Sequence, residues 1–293
     1  MSENGRPPLF THQRAAADFI TARGGSGAEF HEIGLGKTRT AIEIFMRLRM
    51  TDPGLKMIVF APLSLLNAAW KEDVKKFSNF SFCNLREVPW ILEDDNRNFV
   101  LTDDIFAVNY EFLISIKKTN QLVKMISRSG PWLCILDESS RAKNHMAKTT
   151  KTIINLIYLF KYRIVMSGTP APNSEIEYWP QIRFVAPELI ESSTTAFRAR
   201  YFHMTRGSQT QPVPGFMTRQ QAHDVFRRGW NYAITAEKRR ELMRAIAPAC
   251  HWARKEDCLD LPDQIDEIRE VDMGEEQSRL YKKMEKLSII DVY

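Results

Sequence analysis

The sequence predicts an α/β fold with a central, mostly parallel β-sheet flanked by helices. Short apolar runs alternate along the chain with longer stretches of helical period, which is the pattern of βαβ units. The apolar fraction of 44% is ordinary for a globular protein. A length of 293 residues allows one large domain or two ordinary ones around a sizeable core.

Five apolar runs predict the strands of this sheet. They lie near residues 28–31, 57–61, 105–108, 132–136 and 163–167. Apolar residues recur at helical spacing after the first strand and before the last one, which predicts a core-facing helix in each place. These residues are Ala41, Ile44, Phe45 and Leu48, and Ile153, Ile154, Ile157 and Phe160.

The strand pattern weakens after about residue 174. We therefore expect a sheet domain over 1–174, a mainly helical basic extension over 175–258 and a connector over 259–293. Residues 196–255 contain twelve Lys or Arg and three Asp or Glu, a net charge of +9, whereas the whole chain has +5. Such a segment suits a phosphate-bearing partner, and a solvated helical face is the open alternative.

Cysteine usage and the N-terminus exclude several classes of protein. The four cysteines form no C-x-x-C pair, which argues against a zinc module or a disulfide framework and fits a reducing cytosol. The first ten residues are polar and contain prolines, and no apolar run approaches the roughly 18 residues of a membrane span. We expect neither secretion nor membrane insertion.

The strongest local pattern is HEIGLGKT at residues 31–38, between a predicted strand and a predicted helix. Gly34 and Gly36 let the backbone curl so that successive N–H groups face an anion. Lys37 supplies a cation for phosphate, and the Thr38 hydroxyl can bind Mg²⁺. The pattern therefore predicts triphosphate binding, although His31 stands where the usual motif has glycine. The alternative is a chance glycine turn.

Two further patterns follow apolar runs. Asp137-Glu138 follows WLCIL, so it is expected beside the phosphate loop, with Asp137 holding Mg²⁺ and Glu138 polarising water. The alternative is a pair of carboxylates at a helix N-terminus. Ser167-Gly168-Thr169-Pro170 follows the last strand, where its hydroxyl groups could bond to the Asp137-Glu138 turn and relay its state. By itself that tetrapeptide indicates only a turn.

HEIGLGKT, DESSRAKN (137–144) and SGTPAPN (167–173) resemble motifs I, II and III of superfamily 2 helicase-like ATPases, more narrowly the Swi/Snf-type DNA translocases. Four other stretches are similar to the same branch: 11–13, 61–77, 109–111 and 253–281. The resemblance implies a RecA-like P-loop NTPase lobe with a helical insertion after motif III.

The resemblance also implies roles for individual residues. ATP would be bound by Gln13 at the adenine and by Gly34, Leu35, Gly36, Lys37, Thr38 and Arg39; the catalytic residues would be Lys37, Asp137 and Glu138, with Mg²⁺ on Thr38 and Asp137. Nucleic acid would be contacted by Ser64, Asn109, Tyr110, Arg141 and Lys143, and coupling would use Ser167, Gly168 and Thr169. Open alternatives are a surface role for Gln13, helix capping for Ser64 and plain packing for Tyr110. We expect His31 to be structural, because nothing in the sequence pairs it with a second ligand.

Two departures from the family pattern affect the expected activity. Ser139-Ser140 stand where the family has a small residue and a histidine, which predicts weaker coupling of motif II. The sequence also stops where a second RecA-like lobe would begin. That lobe would contribute half of the cleft wall and an arginine at the γ-phosphate, so we expect this chain alone to bind nucleotide poorly and to hydrolyse it very slowly.

These patterns predict the N-terminal motor lobe of an ATP- and Mg²⁺-dependent double-stranded DNA translocase. The expected partners are duplex DNA, contacted at its backbone, and a second lobe in cis or in trans. Two alternatives remain: a strand-separating DNA or RNA helicase, and a single-lobed DNA-binding module without turnover. The expected compartment is the cytosol of a bacterium or of a virus-infected cell, or the nucleus of a eukaryote.

Overall fold

The computed structural model describes residues 7–88, 101–206, 209–212, 231–258 and 271–287. The chain divides into two compact units, Met1–Leu259 and Asp260–Tyr293. Each unit is described by itself. In this part of the chain, no helix is both long enough and apolar enough to cross a membrane.

The first unit contains all the described strands. They are β1 (Gly27–His31), β2 (Lys56–Ala61), β3 (Phe82–Asn84), β4 (Ile105–Asn109), β5 (Trp132–Leu136), β6 (Tyr162–Met166), β7 (His203–Arg206), β8 (Gln209–Pro212), β9 (Asn231–Ala233) and β10 (Cys250–Ala253).

The α-helices of the first unit are α1 (Thr11–Ala22), α2 (Lys37–Thr51), α3 (Glu72–Phe77), α4 (Ile116–Arg128), α5 (Lys148–Asn155), α6 (Tyr178–Val185), α7 (Thr194–Tyr201), α8 (Ala236–Ile246) and α9 (Lys255–Cys258). A π-helix, Leu66–Lys71, precedes α3, and single 3₁₀ turns span Tyr110–Ile114, Ser139–Ala142, Ile157–Leu159, Glu175–Glu177 and Ala247–Ala249. The described part of the second unit contains α10 (Glu275–Leu287).

The main sheet has seven strands in the order β10-β1-β6-β5-β2-β4-β3, and every neighbouring pair is parallel. The predicted parallel sheet is confirmed, and each of the five predicted strands is present. The sequence missed β3 and β10, which lie at the two edges. Each is only three or four residues long, too short to show a hydrophobic period.

Helices cover both faces of this sheet. In β2, Ile58 and Phe60 belong to one core cluster, while Met57 and Val59 belong to the other. Alternate residues of a strand point to opposite faces, so both faces are buried and the strand is apolar throughout. Helices α1 to α3 pack on one face, and α4 to α8 pack on the other. The predicted helical stripe over 41–48 lies in the core of α2.

The extension predicted over 175–258 includes strands as well as helices. It contains α6, α7 and α8, but also a small antiparallel sheet, β8-β7-β9, and the strand β10 of the main sheet. The strands β7 to β9 are short and polar, so no apolar alternation announces them in the sequence. Residues 207–208 and 213–230 of the basic stretch lie outside the described residues.

The parallel arrangement determines where the predicted site residues meet. Every strand of the main sheet ends at the same edge, so the segments that follow β1, β2, β4, β5, β6 and β10 emerge side by side. Ligands of open α/β sheets bind at this carboxyl edge.

Candidate nucleotide and nucleic-acid sites

The loop between β1 and α2 has the backbone shape of a phosphate cradle. Gly34 has a φ of 93° and Gly36 a φ of 73°, both in the left-handed region that favours glycine. Gly36 is the N-cap of α2, a 15-residue helix. A Cβ at Gly36 would lie 2.4 Å from Nε2 of Gln13, so no side chain fits there. An N-terminus of this kind presents free N–H groups to an anion.

Lys37 folds back over this loop. Its Nζ donates to the carbonyl oxygen of His31 at 3.0 Å and lies 3.5 Å from that of Glu32. Thr38 is partly exposed on the first turn of α2. Arg39 packs elsewhere: its guanidinium lies 5.0 Å from the ring centre of Phe77 and 3.6 Å from a carboxylate oxygen of Glu43. The structure therefore brings Lys37 and Thr38 to the loop and places Arg39 in the packing of α2 on α3.

Two side chains of α1 hold the loop in place. Nε2 of Gln13 donates to the carbonyl oxygen of Leu35 at 3.1 Å, and its Oε1 accepts from the N–H of Phe10. Nε2 of His12 lies 2.9 Å from the same Leu35 oxygen. Gln13 is only 4% exposed. The surface alternative for Gln13 is therefore wrong, and its adenine contact stays a prediction.

Asp137 lies at the carboxyl end of β5 and is held by two donors. The indole N–H of Trp70 donates to Oδ2 at 2.8 Å, and the backbone N–H of Glu138 donates to Oδ1 at 2.9 Å. Burial raises the pKa of Asp137 to about 6, although the positive charge of Lys37 opposes the shift. Lys37 and Asp137 thus interact electrostatically. A buried carboxylate in this state suits a divalent cation.

Glu138 has an unusual backbone. Its φ of 47° and ψ of 54° are left-handed, and it is the one non-glycine residue with positive φ in the described ranges. Such conformations cost of order 1–3 kcal/mol and cluster at functional sites. The side chain is partly exposed beside the buried Asp137.

The turn after β6 touches the phosphate loop. A Cβ at Gly168 would lie 2.9 Å from Cγ1 of Ile33 and 3.2 Å from its backbone nitrogen, so the close approach requires glycine. Oγ of Ser167 accepts from the N–H of Thr169 at 3.2 Å. The hydrogen bonds that we expected from this turn to Asp137 and Glu138 do not occur among the described residues. The contact runs to the phosphate loop because β6 lies beside β1 in the sheet.

A buried glutamine instead connects Ser139 to this turn. Oγ of Ser139 donates to Oε1 of Gln181 at 2.6 Å, and Nε2 of Gln181 donates to the carbonyl oxygen of Pro170 at 2.6 Å. The sequence analysis missed Gln181, whose one available signal is an amide within the otherwise apolar start of α6. This bridge lies at Ser139, one of the two residues whose departure from the family pattern predicts weaker coupling of motif II.

His31 also has partners that the sequence did not suggest. Its Nδ1 lies 3.0 Å from Oε1 of Glu29, and its Nε2 lies 2.8 Å from Nδ1 of His251. The rings of His12 and His31 meet edge to face at 5.8 Å. Burial, together with charge on His31, lowers the pKa of His251. The structural role of His31 stays a prediction, and His251 was not anticipated as its neighbour because β10 was not predicted.

A second candidate site is an open groove of about 620 Å³ at the ends of β2 and β4. Its lining residues are Pro62, Leu63, Ser64, Arg86, Asn109, Tyr110, Glu111 and Arg141. Four of the five residues predicted to contact nucleic acid are thus brought together. Arg86 was missed because it follows the unpredicted strand β3.

The groove residues differ in their hydrogen bonds. Ser64 is exposed and caps no helix, since the N-cap of the following helix is Leu65 without a side-chain bond. Nδ2 of Asn109 donates to Oε2 of Glu111 at 2.6 Å. The hydroxyl of Tyr110 donates to the backbone oxygen of Asp137 at 2.7 Å. Tyr110 therefore has a packing role in part, and its hydroxyl also connects the groove to the Asp137-Glu138 pair.

Lys143, which was predicted to contact nucleic acid, and two arginines of the basic stretch form ion pairs within the protein. Lys143 does not line the groove, and its Nζ lies 3.3 Å from a carboxylate oxygen of Glu177. In the basic stretch, Arg200 pairs with Glu191 at 2.8 Å and Glu241 at 3.2 Å, and Arg239 pairs with Glu175 at 2.5 Å. These arginines contribute to intramolecular contacts.

Comparisons with known proteins agree with this geometry. The family model of the SNF2-related domain matches residues 12–292. A probable chromatin-remodeling complex ATPase chain from Oryza sativa subsp. japonica is 28% identical over 207 residues, which are 67% of this chain and 17% of the rice protein. The chromatin structure-remodeling complex subunit snf21 of Schizosaccharomyces pombe is 26% identical over 274 residues, 89% of this chain and 20% of that protein.

A solved structure has the same fold. The Sulfolobus solfataricus SWI2/SNF2 ATPase core in complex with dsDNA superimposes with a TM-score of 0.60 at 22% identity, covering 85% of this chain and 45% of that one. This chain thus spans less than half of the solved core and about a fifth of the curated relatives.

Proposed function

The chain belongs to the SNF2-related domain family, and from this membership we propose that it is the first ATP-binding lobe of a DNA-translocating ATPase. One observation supports the proposal most directly. The curled loop that ends at Lys37 follows β1 and the buried Asp137 follows β5, so both lie at the carboxyl edge of one parallel sheet. The lysine charge opposes the rise that burial causes in the pKa of the carboxylate. Neither feature alone distinguishes a nucleotide site from an ordinary turn.

In the proposed nucleotide site, the left-handed Gly34 and Gly36 open the backbone to phosphate, and Lys37 balances its charge. Thr38 and Asp137 would hold Mg²⁺, which supplies electrostatic stabilisation of the transferred phosphoryl group when bound. Glu138 would orient and polarise the attacking water. Gln13 and Leu35 secure the loop; a direct contact of Gln13 or Arg39 with ATP is the less supported part of this proposal.

In the proposed DNA site, the groove receives one strand of a duplex by its phosphates. Ser64 offers an exposed hydroxyl, and Arg141 and Arg86 offer cations, while Asn109 contributes from the edge of β4. None of these groups selects a base sequence, so binding should depend strongly on salt and weakly on sequence. Lys143, which pairs with Glu177, has a smaller part in this site.

A second RecA-like lobe, on the same chain or on a separate one, would complete the ATPase. By family resemblance it would place an arginine at the γ-phosphate, a contribution on the order of 10³- to 10⁵-fold in rate. The 293-residue chain by itself is then expected to bind ATP poorly and to hydrolyse it very slowly. The cytosol of a bacterium or of an infected cell, or the nucleus of a eukaryote, stays the predicted compartment.

The test is ATP hydrolysis by the complete protein with duplex DNA, single-stranded DNA, RNA or no nucleic acid. We expect the highest rate with duplex DNA, and we expect Lys37→Ala and Glu138→Gln each to abolish the stimulated rate. Arg254→Gln is a suitable control because Arg254 is exposed and pairs with Glu256. Stimulated activity that survives both site substitutions would contradict the assigned roles.

The same measurement separates the alternatives. Preferential stimulation by single strands or RNA would favour a strand-separating helicase. DNA binding by the complete protein without ATP turnover would favour a single-lobed binding module.

A further inference from the structure

A short basic segment outside the predicted nucleotide site lies against its phosphate loop. Strand β10 pairs in parallel with β1, and the register places Ala253 beside His31. The backbone N–H of Glu32 donates to the carbonyl oxygen of Ala253 at 3.1 Å. In return, the backbone N–H of Lys255 donates to Oε2 of Glu32 at 2.8 Å. The end of β10 is therefore fixed to the first residues of the phosphate loop.

This attachment places the Lys255 side chain on Gly34. A Cβ built at Gly34 would lie 3.5 Å from Cε and 3.9 Å from Nζ of Lys255. Gly34 is one of the two left-handed glycines that open the loop. Lys255 is exposed, and within the described ranges its ammonium forms neither an ion pair nor a hydrogen bond. A cation with no ion pair or hydrogen bond in the described part of the chain thus lies beside the phosphate loop.

The neighbouring residue shows that this position is specific. Nη1 of Arg254 lies 3.0 Å from Oε1 of Glu256, and both side chains are 70% exposed. Arg254 and Lys255 are thus both exposed cations, but Arg254 forms an ion pair at the surface, whereas Lys255 lies against the loop. The Glu32 carboxylate accepts the Lys255 backbone N–H rather than its ammonium.

We propose that Lys255 is a second cationic ligand for the phosphate groups of the nucleotide, in addition to Lys37. The inference rests on the proposed function, since it assumes that the loop binds a nucleoside triphosphate. Lys37 reaches the loop from α2 and bonds to its backbone oxygens. Lys255 approaches the loop from the end of β10, the edge strand that pairs with β1, so the two ammonium groups reach the loop from different elements.

The experiment titrates the purified 293-residue chain with ATP, ADP and AMP in the presence of Mg²⁺ by isothermal calorimetry. Wild type is compared with Lys255→Gln, Lys255→Arg, Arg254→Gln and Lys37→Ala. We expect Lys255→Gln to weaken ATP binding about tenfold, the usual effect of losing one charged contact, and to change AMP binding little. Lys255→Arg should restore most of the ATP affinity, and Arg254→Gln should behave as wild type.

The outcomes separate the two proposals. Equal ATP affinities for Lys255→Gln and Arg254→Gln, with wild type binding ATP and Lys37→Ala losing it, would overturn the Lys255 inference alone. Failure of wild type to bind ATP would overturn the proposed nucleotide site and this inference with it. An equal loss of ATP and AMP affinity in Lys255→Gln would also overturn it, because the effect would not involve the added phosphates. Since Lys255 is exposed, matching thermal melts should establish that each variant is folded.

Discussion

Asp137 connects the two candidate sites through its own atoms. Its carboxylate accepts from the indole of Trp70, which belongs to the π-helix that follows Ser64. Its backbone oxygen accepts from the hydroxyl of Tyr110, which lines the groove. A shift of either groove element would therefore move the residue proposed to hold Mg²⁺. These two hydrogen bonds directly connect the proposed DNA groove to the proposed nucleotide site.

The Trp70 contact yields a test with a matched control. Trp70→Phe keeps the ring but removes the donor to Asp137, so Mg²⁺-dependent ATP binding by the chain should weaken about 10- to 100-fold, as for other residues that orient a metal ligand. Trp132→Phe removes an equally buried indole donor, which bonds to the backbone of Ile126. Both variants should have a lower free energy of unfolding in urea. Only Trp70→Phe should shift the Mg²⁺ concentration at which ATP binding is half-maximal. Equal shifts would contradict this role.

Ser139 and Gln181 give a second prediction about single residues. Ser139→Ala and Gln181→Leu should have non-additive effects on the free energy of unfolding in urea, with an interaction free energy of about 0.5–1.5 kcal/mol, because either change removes the same buried hydrogen bond. Additive losses would show that the two side chains act independently. In the complete protein, either change should reduce DNA-stimulated turnover more than ATP binding.

At the level of elements, the strand order separates the two functions. The phosphate loop, the Ser167 turn and Asp137 follow the consecutive neighbours β1, β6 and β5, whereas the groove lies at the ends of β2 and β4. The two groups meet where β5, the last strand of the first group, pairs with β2. This placement follows from parallel pairing alone, since all these strands end at one edge.

The groove gives a prediction at this scale. Arg141→Ala should weaken duplex DNA binding at low salt and reduce the slope of log K against log salt by about 1, because one phosphate contact is lost. Lys161→Ala is the control, since Lys161 is exposed, pairs with Asp52 and does not line the groove. Fluorescence anisotropy with a labelled duplex across a salt series measures both. Identical slopes for the two variants would place the DNA elsewhere.

At the scale of the whole molecule, β10 completes the main sheet, although the segment before it forms a separate small sheet. Cys250 pairs with Ala28 and Trp252 with Phe30, and the rings of Phe30 and Trp252 are 4.8 Å apart. Without β10, the backbone edge of β1 and the ring of Phe30 would be open to solvent. The first unit accordingly extends to Leu259.

Two truncations test this organisation. A chain that ends at Leu259 should unfold cooperatively, with a free energy close to that of the full chain, because its sheet is complete. A chain that ends at Ala249 should lose at least about 3 kcal/mol, since the apolar contacts of β10 are removed. Urea unfolding followed by far-ultraviolet circular dichroism measures both. Equal stability of the two truncations would show that β10 contributes nothing to the fold.

Prediction from sequence succeeded where a signal is local. The runs that became β2, β4 and β5 are almost wholly apolar because both faces of the sheet are covered, and an apolar run can be recognised in isolation. Strands β1 and β6 have shorter apolar stretches beside Glu29, His31 and Arg163. Prediction was incomplete where an element is short or polar. The edge strands β3 and β10 and the polar strands β7 to β9 are defined by their pairing partners rather than by their own pattern.

The amino-acid sequence by itself determined the parallel α/β architecture, the family and the segments of the candidate sites, because each depends on residues adjacent in the chain. Only the tertiary structure decided which distant side chains join them: His251 beside His31, Gln181 beside Ser139 and Lys255 beside Gly34. Those pairs are separated by 42 residues in the second case and 220 in the first. Their proximity depends on strand order and register, which no local pattern encodes.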